Sequence, residues 1–296
     1  MSDYGLFLRP GDTLGLFAPA SPAEPREISL ATRALEPLGF GVKRPPVRLK
    51  PQGYLAGSDQ ERRQGLHLLM ADPEVKALLA IRGGYGSMRL LRDLRPLWPL
   101  YPPKPLIGFS DITALHLARL AAVGVGGWHG PCLINLESPG HRKRLTQALR
   151  GELPPWKLRK ASRLQLGRAR GRLLGGNLSL VAALLPTPYW PDCAGAILML
   201  EDQGEDLYRL DRLLTTLRLS GQLEKLAGLV FGDFGPNLAT KALRNLLLGL
   251  AESCPGPVAW APYFGHGQEN RPWPVGAEAE LSLTAAEGYL AFFPSV

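Results

Sequence analysis

The stretch Lys104-Pro-Leu-Ile-Gly-Phe-Ser110-Asp-Ile-Thr-Ala-Leu-His-Leu-Ala118 predicts a strand, a sharp turn and a helix, with Ser110 at the turn. A short apolar run reaches a glycine, one serine follows, and an apolar helical pattern begins at once. The first N–H groups of a helix have no acceptor within it, and they lie at the positive end of its dipole. They are suited to stabilise negative charge on a carbonyl oxygen under attack. Ser110 is therefore a candidate nucleophile.

The same turn also has a plain structural explanation. Serine and aspartate commonly cap helix N-termini, because their side chains accept hydrogen bonds from the first backbone N–H groups. In addition, Ile112 stands where the usual Gly-x-Ser-x-Gly elbow has its second glycine. A catalytic function for Ser110 therefore needs partner residues elsewhere in the chain.

Strand and helix patterns alternate around this turn and predict an α/β fold with a parallel sheet. Thr13–Ala18 is a predicted buried strand, and Val75–Ile81 is a predicted central strand that leads into Arg82-Gly-Gly-Tyr-Gly86. This glycine loop follows one strand and Ser110 follows the next, so both should lie at the carboxyl edge, where open α/β sheets bind ligands. The loop is placed to offer backbone N–H groups beside Ser110, although a tight turn explains its glycines equally well.

A proline-rich and basic segment separates two predicted domains. We expect a nucleophile-bearing domain at residues 1–137, a linker at 138–172 and a second domain at 173–296. Residues 157–172 hold seven Lys or Arg and no acid, but Trp156 is the one aromatic beside them. Because stacking and groove recognition then have little support, a solvated basic linker is favoured over a nucleic-acid site. The second half continues with apolar strands, and a helix is predicted from Ala239 to Ser253.

Composition indicates an ordinary globular protein. The 296 residues are 45% hydrophobic with a net charge of +8, and no apolar run is long enough to cross a membrane. Met1–Gly5 lacks a basic segment followed by an apolar one, so we expect a cytoplasmic protein. The three cysteines (Cys132, Cys193, Cys254) and five histidines show no metal-ligand spacing, so neither a metal nor a cofactor is expected.

A serine nucleophile needs a base, and the base works better beside a carboxylate. His266 lies between two glycines just past a predicted strand, where a ring can project into a cleft; His129 is its nearest competitor. Glu201 ends the apolar run Ala196–Leu200, a position that is unfavourable for a carboxylate without a partner. Taken singly, each has a structural explanation, and Asp202 and Glu205 are explained by salt bridges or helix capping.

Taken together, these motifs resemble the LD-carboxypeptidases of peptidase family S66 over nearly the whole chain. They occur in family order as Ile81-Arg-Gly-Gly-Tyr-Gly86, Ile107-Gly-Phe-Ser-Asp-Ile-Thr113, Gly175-Gly-Asn-Leu178, Leu200-Glu-Asp202 with Tyr208 and Arg212 following, and Phe264-Gly-His266. Five ordered matches are far more specific than any one of them.

The resemblance implies a metal-free serine peptidase with a Ser-His-Glu triad of Ser110, His266 and Glu201. The implied fold is α/β, with a flavodoxin-like parallel-sheet N-terminal domain and a smaller, swivelling-type β/β/α C-terminal domain. The implied reaction releases the terminal D-alanine of murein tetrapeptides during cell-wall recycling by hydrolysing an L,D-peptide bond. A homodimer is also implied.

Further residues are assigned within that reaction. The backbone N–H groups of Gly84 and Asp111 would form the oxyanion hole. Arg82 and Arg271 are candidates for binding the terminal carboxylate of the substrate, and Asn177 either orients the substrate or shapes its own loop. Leu174 stands where the family often has a tryptophan, which changes the expected shape of the substrate pocket.

Two other functions stay open at this point. The chain could be a microcin-C-immunity-like peptidase that cleaves peptidyl-nucleotide amides, or a non-catalytic binder of small molecules or nucleic acid on the same fold. We favour a murein peptide as the partner, with no nucleic acid and no membrane.

Overall fold

The computed structural model describes residues 7–236 and 240–294 and divides into two compact units. Within the described residues, the first comprises 7–152 together with Arg271–Trp273, and the second comprises 153–270 and 274–294. The N-terminal residues Met1–Gly5 and Ala239, the first residue of a predicted helix, lie outside the described residues.

The first unit is built on a parallel sheet covered by helices. Its strands pair in the order β2-β1-β3-β4-β5, which is the flavodoxin-like order. The strands are β1 (Thr13–Phe17), β2 (Gly41–Lys43), β3 (Val75–Ala80), β4 (Leu106–Gly108) and β5 (Gly127–His129). The helices are α1 (Pro25–Arg33), α2 (Asp59–Ala71), α3 (Leu91–Leu94), α4 (Thr113–Val123) and α5 (Pro139–Leu149). The predicted N-terminal fold is confirmed.

Local sequence explains where these elements begin and end. Helix α2 begins at a capping box, in which Ser58 and Glu61 each accept a hydrogen bond from the other's backbone N–H. Strand β3 is almost fully buried, as expected for a central parallel strand with helices on both faces. The apolar run Val123–Trp128 predicts a strand that begins at Val123, and this prediction is wrong at its start. Val123 is the last residue of helix α4, because Gly124 adopts the left-handed conformation that stops a helix, and β5 begins at Gly127.

The second unit is a mixed sheet with helices. Its strands are β6 (Trp156–Lys157), β7 (Arg163–Gln165), β8 (Gly167–Asn177), β9 (Ile197–Glu201), β10 (Gly228–Phe231), β11 (Val258–Trp260), β13 (Glu278–Leu283) and β14 (Gly288–Phe293). The short strand β12 (Trp273–Val275), whose first residue belongs to the first unit, is not part of this sheet. The sheet order is β6-β14-β13-β8-β9-β10-β11-β7. The helices are α6 (Leu178–Leu184), α7 (Leu207–Leu219) and α8 (Thr240–Ala251).

Strand β8 joins the two halves of this sheet. Its first part, Gly167–Arg172, pairs antiparallel with β13, and its second part, Leu173–Asn177, pairs parallel with β9. The parallel strands β8, β9, β10 and β11 therefore bring the carboxyl ends of β8 and β9 side by side. This arrangement confirms an α/β C-terminal domain, and it places Asn177 opposite Glu201.

Residues 138–172 contain elements that the sequence pattern did not predict. Helix α5 begins at Pro139, a residue suited to the first helical position, and buries Leu145, Ala148 and Leu149. Short strands follow before β8. The helices of the described residues are too short or too polar to cross a membrane.

Candidate active site

Ser110 lies at a strained turn between β4 and α4. Its φ is +62°, in the left-handed region, which is unfavourable by about 1–2 kcal/mol for a residue other than glycine. A 3-10 turn, Ser110–Ile112, follows immediately and runs into α4. Backbone strain of this kind is found at active sites, where the surrounding structure holds it in place. The turn thus presents the half-buried serine at the carboxyl end of the sheet.

The glycine loop after β3 packs directly against this turn. A Cβ atom added to Gly83 would lie 3.1 Å from Cβ and 3.3 Å from Oγ of Ser110, so a side chain there would crowd the hydroxyl. The side chain of Asp111 accepts a hydrogen bond from the backbone N–H of Ser87 at 2.8 Å. The two loops therefore pack together at one edge of the first unit, with Gly84 exposed and its φ at +110°.

Asp111 is nearly fully buried beside the serine. Burial raises the pKa of its carboxyl, while hydrogen bonds from Ser87 and the charge of Arg62 act in the opposite direction. The carboxylate accepts backbone N–H donors and thereby fixes the glycine loop. Its side chain is a structural support of the turn.

In the second unit, Glu201 and His266 are hydrogen-bonded. Glu201 is the last residue of β9 and is fully buried, and Oε2 lies 2.7 Å from Nδ1 of His266. His266 lies in the loop after β11, and its side chain is 18% exposed. A Cβ atom at Gly265 would lie 2.6 Å from Glu201 Oε2, so the loop approaches the carboxylate this closely only because Gly265 has no side chain.

The surroundings of His266 favour its protonated form. Burial lowers its pKa, but the hydrogen bond to Glu201 and the charges of Glu201, Asp202 and Asp233 outweigh this effect, so the pKa lies above the ordinary value of 6.5. A carboxylate that accepts from Nδ1–H also selects the tautomer in which Nε2 carries the lone pair. The pair has the form of a general base with its orienting acid.

Comparison with known proteins places the chain in a family. The profile of the LD-carboxypeptidase N-terminal domain matches residues 14–130, and that of the LD-carboxypeptidase C-terminal domain matches residues 170–281. The chain belongs to the LD-carboxypeptidase family.

Its similarity to named LD-carboxypeptidase relatives extends along most of the chain. It is 35% identical to a probable murein peptide carboxypeptidase of Bacillus subtilis, over 93% of this chain and 90% of the relative. It is 32% identical to the murein tetrapeptide carboxypeptidase of Pseudomonas aeruginosa, over 90% of this chain and 92% of the relative. These relatives support a peptidase activity.

A structural comparison gives the same family, and a sequence match adds a relative with a different named function. The crystal structure of muramoyltetrapeptide carboxypeptidase from Oxalobacter formigenes has a TM-score of 0.85 and 28% identity, covering 96% of this chain and all (100%) of that one. The microcin C7 self-immunity protein of Escherichia coli is 27% identical over 75% of both chains. The LD-carboxypeptidase fold is therefore shared by proteins with two differently named functions.

Asn177 and Asp202 form a buried network at the ends of β8 and β9. The amide nitrogen of Asn177 donates to Oδ1 of Asp202 at 2.9 Å, while the N–H and hydroxyl of Ser179 donate to Oδ2 at 2.9 and 2.7 Å. Oδ1 of Asn177 caps α6 by accepting from the N–H of Leu180. Burial raises the pKa of Asp202. The network anchors the N-terminus of α6 beside Glu201.

The two candidate arginines both belong to the first unit. Arg82 is exposed, and its guanidinium donates to the carbonyl oxygen of Pro22 at 3.4 Å. Arg271 is half-buried in the short segment that the late chain contributes to this unit.

The other buried histidines of the first unit have structural positions. His129 is fully buried and stacks on Trp273, with ring centroids 5.0 Å apart. His116 lies on α4, where Nε2 is 3.0 Å from the carbonyl oxygen of Gly108, and burial lowers its pKa to about 3. Neutral His116 therefore supports the turn that carries Ser110 through its contact with Gly108.

Sequence reasoning missed the supporting carboxylates. Asp111 was considered as a helix cap and for its backbone N–H, not as an acceptor for the glycine loop. Asp233, which accepts from the N–H of Gly235 and helps to raise the pKa of His266, was not considered. The one available signal was position in the sequence. Asp111 and Asp233 each follow the end of an apolar strand, where a buried carboxylate requires hydrogen-bond donors.

Proposed function

We propose that this LD-carboxypeptidase is a serine peptidase that releases the terminal D-alanine from murein tetrapeptides by hydrolysing an L,D-peptide bond. The observation that carries the proposal is the 2.7 Å contact between His266 Nδ1 and the fully buried carboxylate of Glu201. A buried acid held on an imidazole is the arrangement that a serine hydroxyl needs for activation.

In the proposed mechanism, Ser110, His266 and Glu201 act as a triad. Nε2 of His266 takes the Ser110 proton as Oγ attacks the scissile carbonyl, and Glu201 stabilises the resulting imidazolium. His266 then donates that proton to the leaving amine of D-alanine. Water hydrolyses the acyl-enzyme with His266 again as the base. The proposal requires the nucleophile of residues 1–137 and the acid and base of residues 173–296, connected by 138–172, to meet in one cleft.

The oxyanion would be held by the backbone N–H groups of Gly84 and Asp111. Asp111 lies in the first turn after Ser110, where helix N–H groups have no acceptor within the helix. The loss of one such donor typically slows catalysis by about 10²–10³-fold. The packing of the glycine loop on Ser110 supports this assignment, because it fixes both donors relative to the hydroxyl.

The remaining substrate contacts belong to the same proposal. Arg82 and Arg271 are candidates for the free carboxylate of the terminal residue, since a guanidinium fork binds carboxylates bidentately. Asn177 would orient the peptide or hold its own loop, and its bond to Asp202 favours the second role. The excess of basic residues suits an anionic murein peptide.

We also propose that the protein acts as a homodimer in the cytoplasm, without nucleic-acid or membrane partners. Light scattering at several concentrations measures the oligomeric state, and cell fractionation measures the location. A monomer, or salt-sensitive retention on nucleic acid, would contradict the respective part of this proposal.

The activity is tested by incubating purified protein with murein tetrapeptide and measuring free D-alanine. We expect release by the native protein and loss of release in Ser110→Ala and His266→Ala, with both variants retaining the native circular dichroism spectrum. Equal release by Ser110→Ala would rule out the serine mechanism. Activity abolished by a chelator would also contradict it.

A second candidate is cleavage of a peptidyl-nucleotide amide, which the similarity to the microcin C7 self-immunity protein favours. The same triad would attack the amide, and only the pocket would differ. Parallel assays with murein tetrapeptide and an aminoacyl sulfamoyl adenosine separate the two. Turnover of the nucleotide substrate alone would replace the murein proposal while keeping the mechanism, and binding without turnover of either would indicate a non-catalytic binder.

A further inference from the structure

Two exposed tyrosines lie together beside the glycine loop. Tyr54 is 63% exposed and Tyr85 is 50% exposed, and their ring centroids are 5.5 Å apart with the planes at 74°. Large apolar rings are usually covered, and an exposed aromatic cluster on a soluble protein commonly marks a binding surface. The proposed mechanism uses neither ring.

Backbone hydrogen bonds order both of the loops that carry these rings. Tyr85 is anchored on one side because its backbone N–H donates to Oγ of Ser21 at 3.3 Å. Tyr54 lies at the tip of a tight turn, closed by two backbone hydrogen bonds between Gln52 and Leu55. Because the loop backbone is already ordered, it loses little conformational entropy when a ligand binds.

Packing joins these two loops to each other. Leu55 is buried, and a Cβ atom at Gly86 would lie 2.7 Å from its Cδ2, so the Tyr54 turn rests directly on the glycine loop. The N–H of Ala56 also donates to the carbonyl oxygen of Ala20 at 2.8 Å. The aromatic pair is thus a built feature of the first unit, formed by loops about thirty residues apart in sequence.

The pair is close to the nucleophile. Tyr85 is two residues from Gly83, which packs against Ser110, and two residues span at most ~7 Å before the length of the tyrosine side chain is added. In a murein tetrapeptide, three residues and a lactyl group separate the sugar ring from the terminal D-alanine, and the three residues alone can extend to ~10 Å. A peptide cut at Ser110 is therefore long enough for its sugar to reach the pair.

The angle between the two tyrosine rings determines whether a flat base or a sugar ring fits against them. A planar base held between two aromatic rings requires parallel rings about 7 Å apart, twice a carbon–carbon contact distance. Planes at 74° and centroids at 5.5 Å leave no such slot. They do leave an open ring face with phenolic hydroxyls at its border, which matches the apolar C–H face and hydroxyl rim of a pyranose.

We infer that Tyr54 and Tyr85 form a subsite for the pyranose ring of a muramoyl peptide, which makes the sugar part of what the enzyme recognises. This inference rests on the proposed murein peptidase function and specifies its substrate.

The kinetic test compares D-alanine release from N-acetylmuramoyl-tetrapeptide with release from the same tetrapeptide without sugar. We expect the native enzyme to prefer the muramoyl substrate in kcat/KM by about tenfold, equivalent to ~1.4 kcal/mol. Tyr54→Ala should remove most of that preference by slowing the muramoyl substrate alone, whereas Tyr54→Phe should keep it. Phe293→Ala, which removes a 44% exposed ring from β14, is the control and should change neither rate.

Two kinetic outcomes would overturn the subsite. One is an unchanged preference in both Tyr54→Ala and Tyr85→Ala, and the other is an equal decrease on both substrates, which would mean that the rings contact the peptide. Release of D-alanine from neither substrate by the native enzyme would instead contradict the proposed function.

A binding measurement keeps the subsite testable even without turnover. Saturation-transfer NMR with N-acetylmuramic acid alone should show transfer to the pyranose C–H protons with native protein and its loss with Tyr54→Ala. Equal transfer in the two proteins would overturn the subsite. Tyr54-dependent transfer to adenosine but not to the sugar would do so as well, since the rings would then serve a nucleoside.

Discussion

The carboxylate of Asp111 accepts a hydrogen bond from the backbone N–H of Ser87 at 2.8 Å, and this bond ties the residue after the candidate nucleophile to the end of the glycine loop. The two residues follow neighbouring parallel strands, β3 and β4. The geometry of the turn at Ser110 therefore depends on a contact that neither loop can make alone.

The first prediction concerns the stability that this bond supplies. Asp111→Ala leaves the buried N–H of Ser87 without its acceptor and should lower the free energy of unfolding by about 1–3 kcal/mol. Asp111→Asn keeps an acceptor oxygen and should stay close to the native protein. Urea denaturation measures both, and equal losses in the two variants would mean that the hydrogen bond is not the stabilising feature.

The pH dependence of the same pair gives an independent check. Burial raises the pKa of Asp111 above its unfolded value of 3.8, so the folded state binds the proton more tightly than the unfolded state does. The free energy of unfolding therefore decreases as pH rises from about 4 through the folded pKa. Asn does not titrate, so the stability of Asp111→Asn relative to the native protein should increase over that range and then stay level.

The second prediction follows from the left-handed backbone of Ser110. Ser110→Ala and Ser110→Gly should both abolish peptidase activity, since each removes the hydroxyl. Glycine relieves the unfavourable φ of +62° and alanine does not, so Ser110→Gly should be the more stable variant by about 1 kcal/mol. Thermal or urea unfolding of the two inactive proteins measures the difference, and a more stable alanine variant would show that the turn is unstrained in solution.

The third prediction concerns the charge on His266. Glu201→Gln removes the hydrogen-bonding carboxylate and its negative charge, so the pKa of His266 should fall from its raised native value. NMR titration of the His266 ring measures this directly. Neutral His266 is the base, so the rate of the native enzyme should rise with pH through an apparent pKa above 6.5. In Glu201→Gln this rise should move to lower pH, and kcat should fall by roughly 10³–10⁴-fold.

Glu205→Gln is the matched control for this variant. Glu205 lies four residues after Glu201. The charges that raise the pKa of His266 belong to Glu201, Asp202 and Asp233. Its replacement should leave the titration of His266 and the rate profile near those of the native protein. A similar change in both variants would mean that general loop charge, rather than the hydrogen bond, sets the pKa.

The fourth prediction separates a steric clash from backbone strain at the histidine loop. Gly265→Ala places a methyl group 2.6 Å from Glu201 Oε2 and should displace His266, lowering kcat by at least about a hundredfold. Gly204 also has a positive φ, but a Cβ atom there meets open space. Gly204→Ala should therefore lose some stability and keep its kcat, and equal losses of activity would point to strain alone.

Local sequence patterns determined much of the fold. The alternating strands and helices, the capping box at Ser58 and the strand-turn-helix at Ser110 were all predictable, because each depends on the chemistry of a few neighbouring residues. The ordered motifs were sufficient for family membership. Helix α5 was missed, since charged residues dilute its short apolar face, and the length of strand β5 was overestimated because apolar runs do not distinguish strand from helix.

Tertiary structure alone decided which side chains meet. Glu201 and His266 are 65 positions apart and come into contact because parallel strands deliver both to one sheet edge and Gly265 permits the approach. The Asp111–Ser87 bond, the Asp202 network and the tyrosine pair have the same origin. Local preference sets the shape of each segment, whereas contacts between distant segments depend on strand order, register and packing, which no single segment encodes.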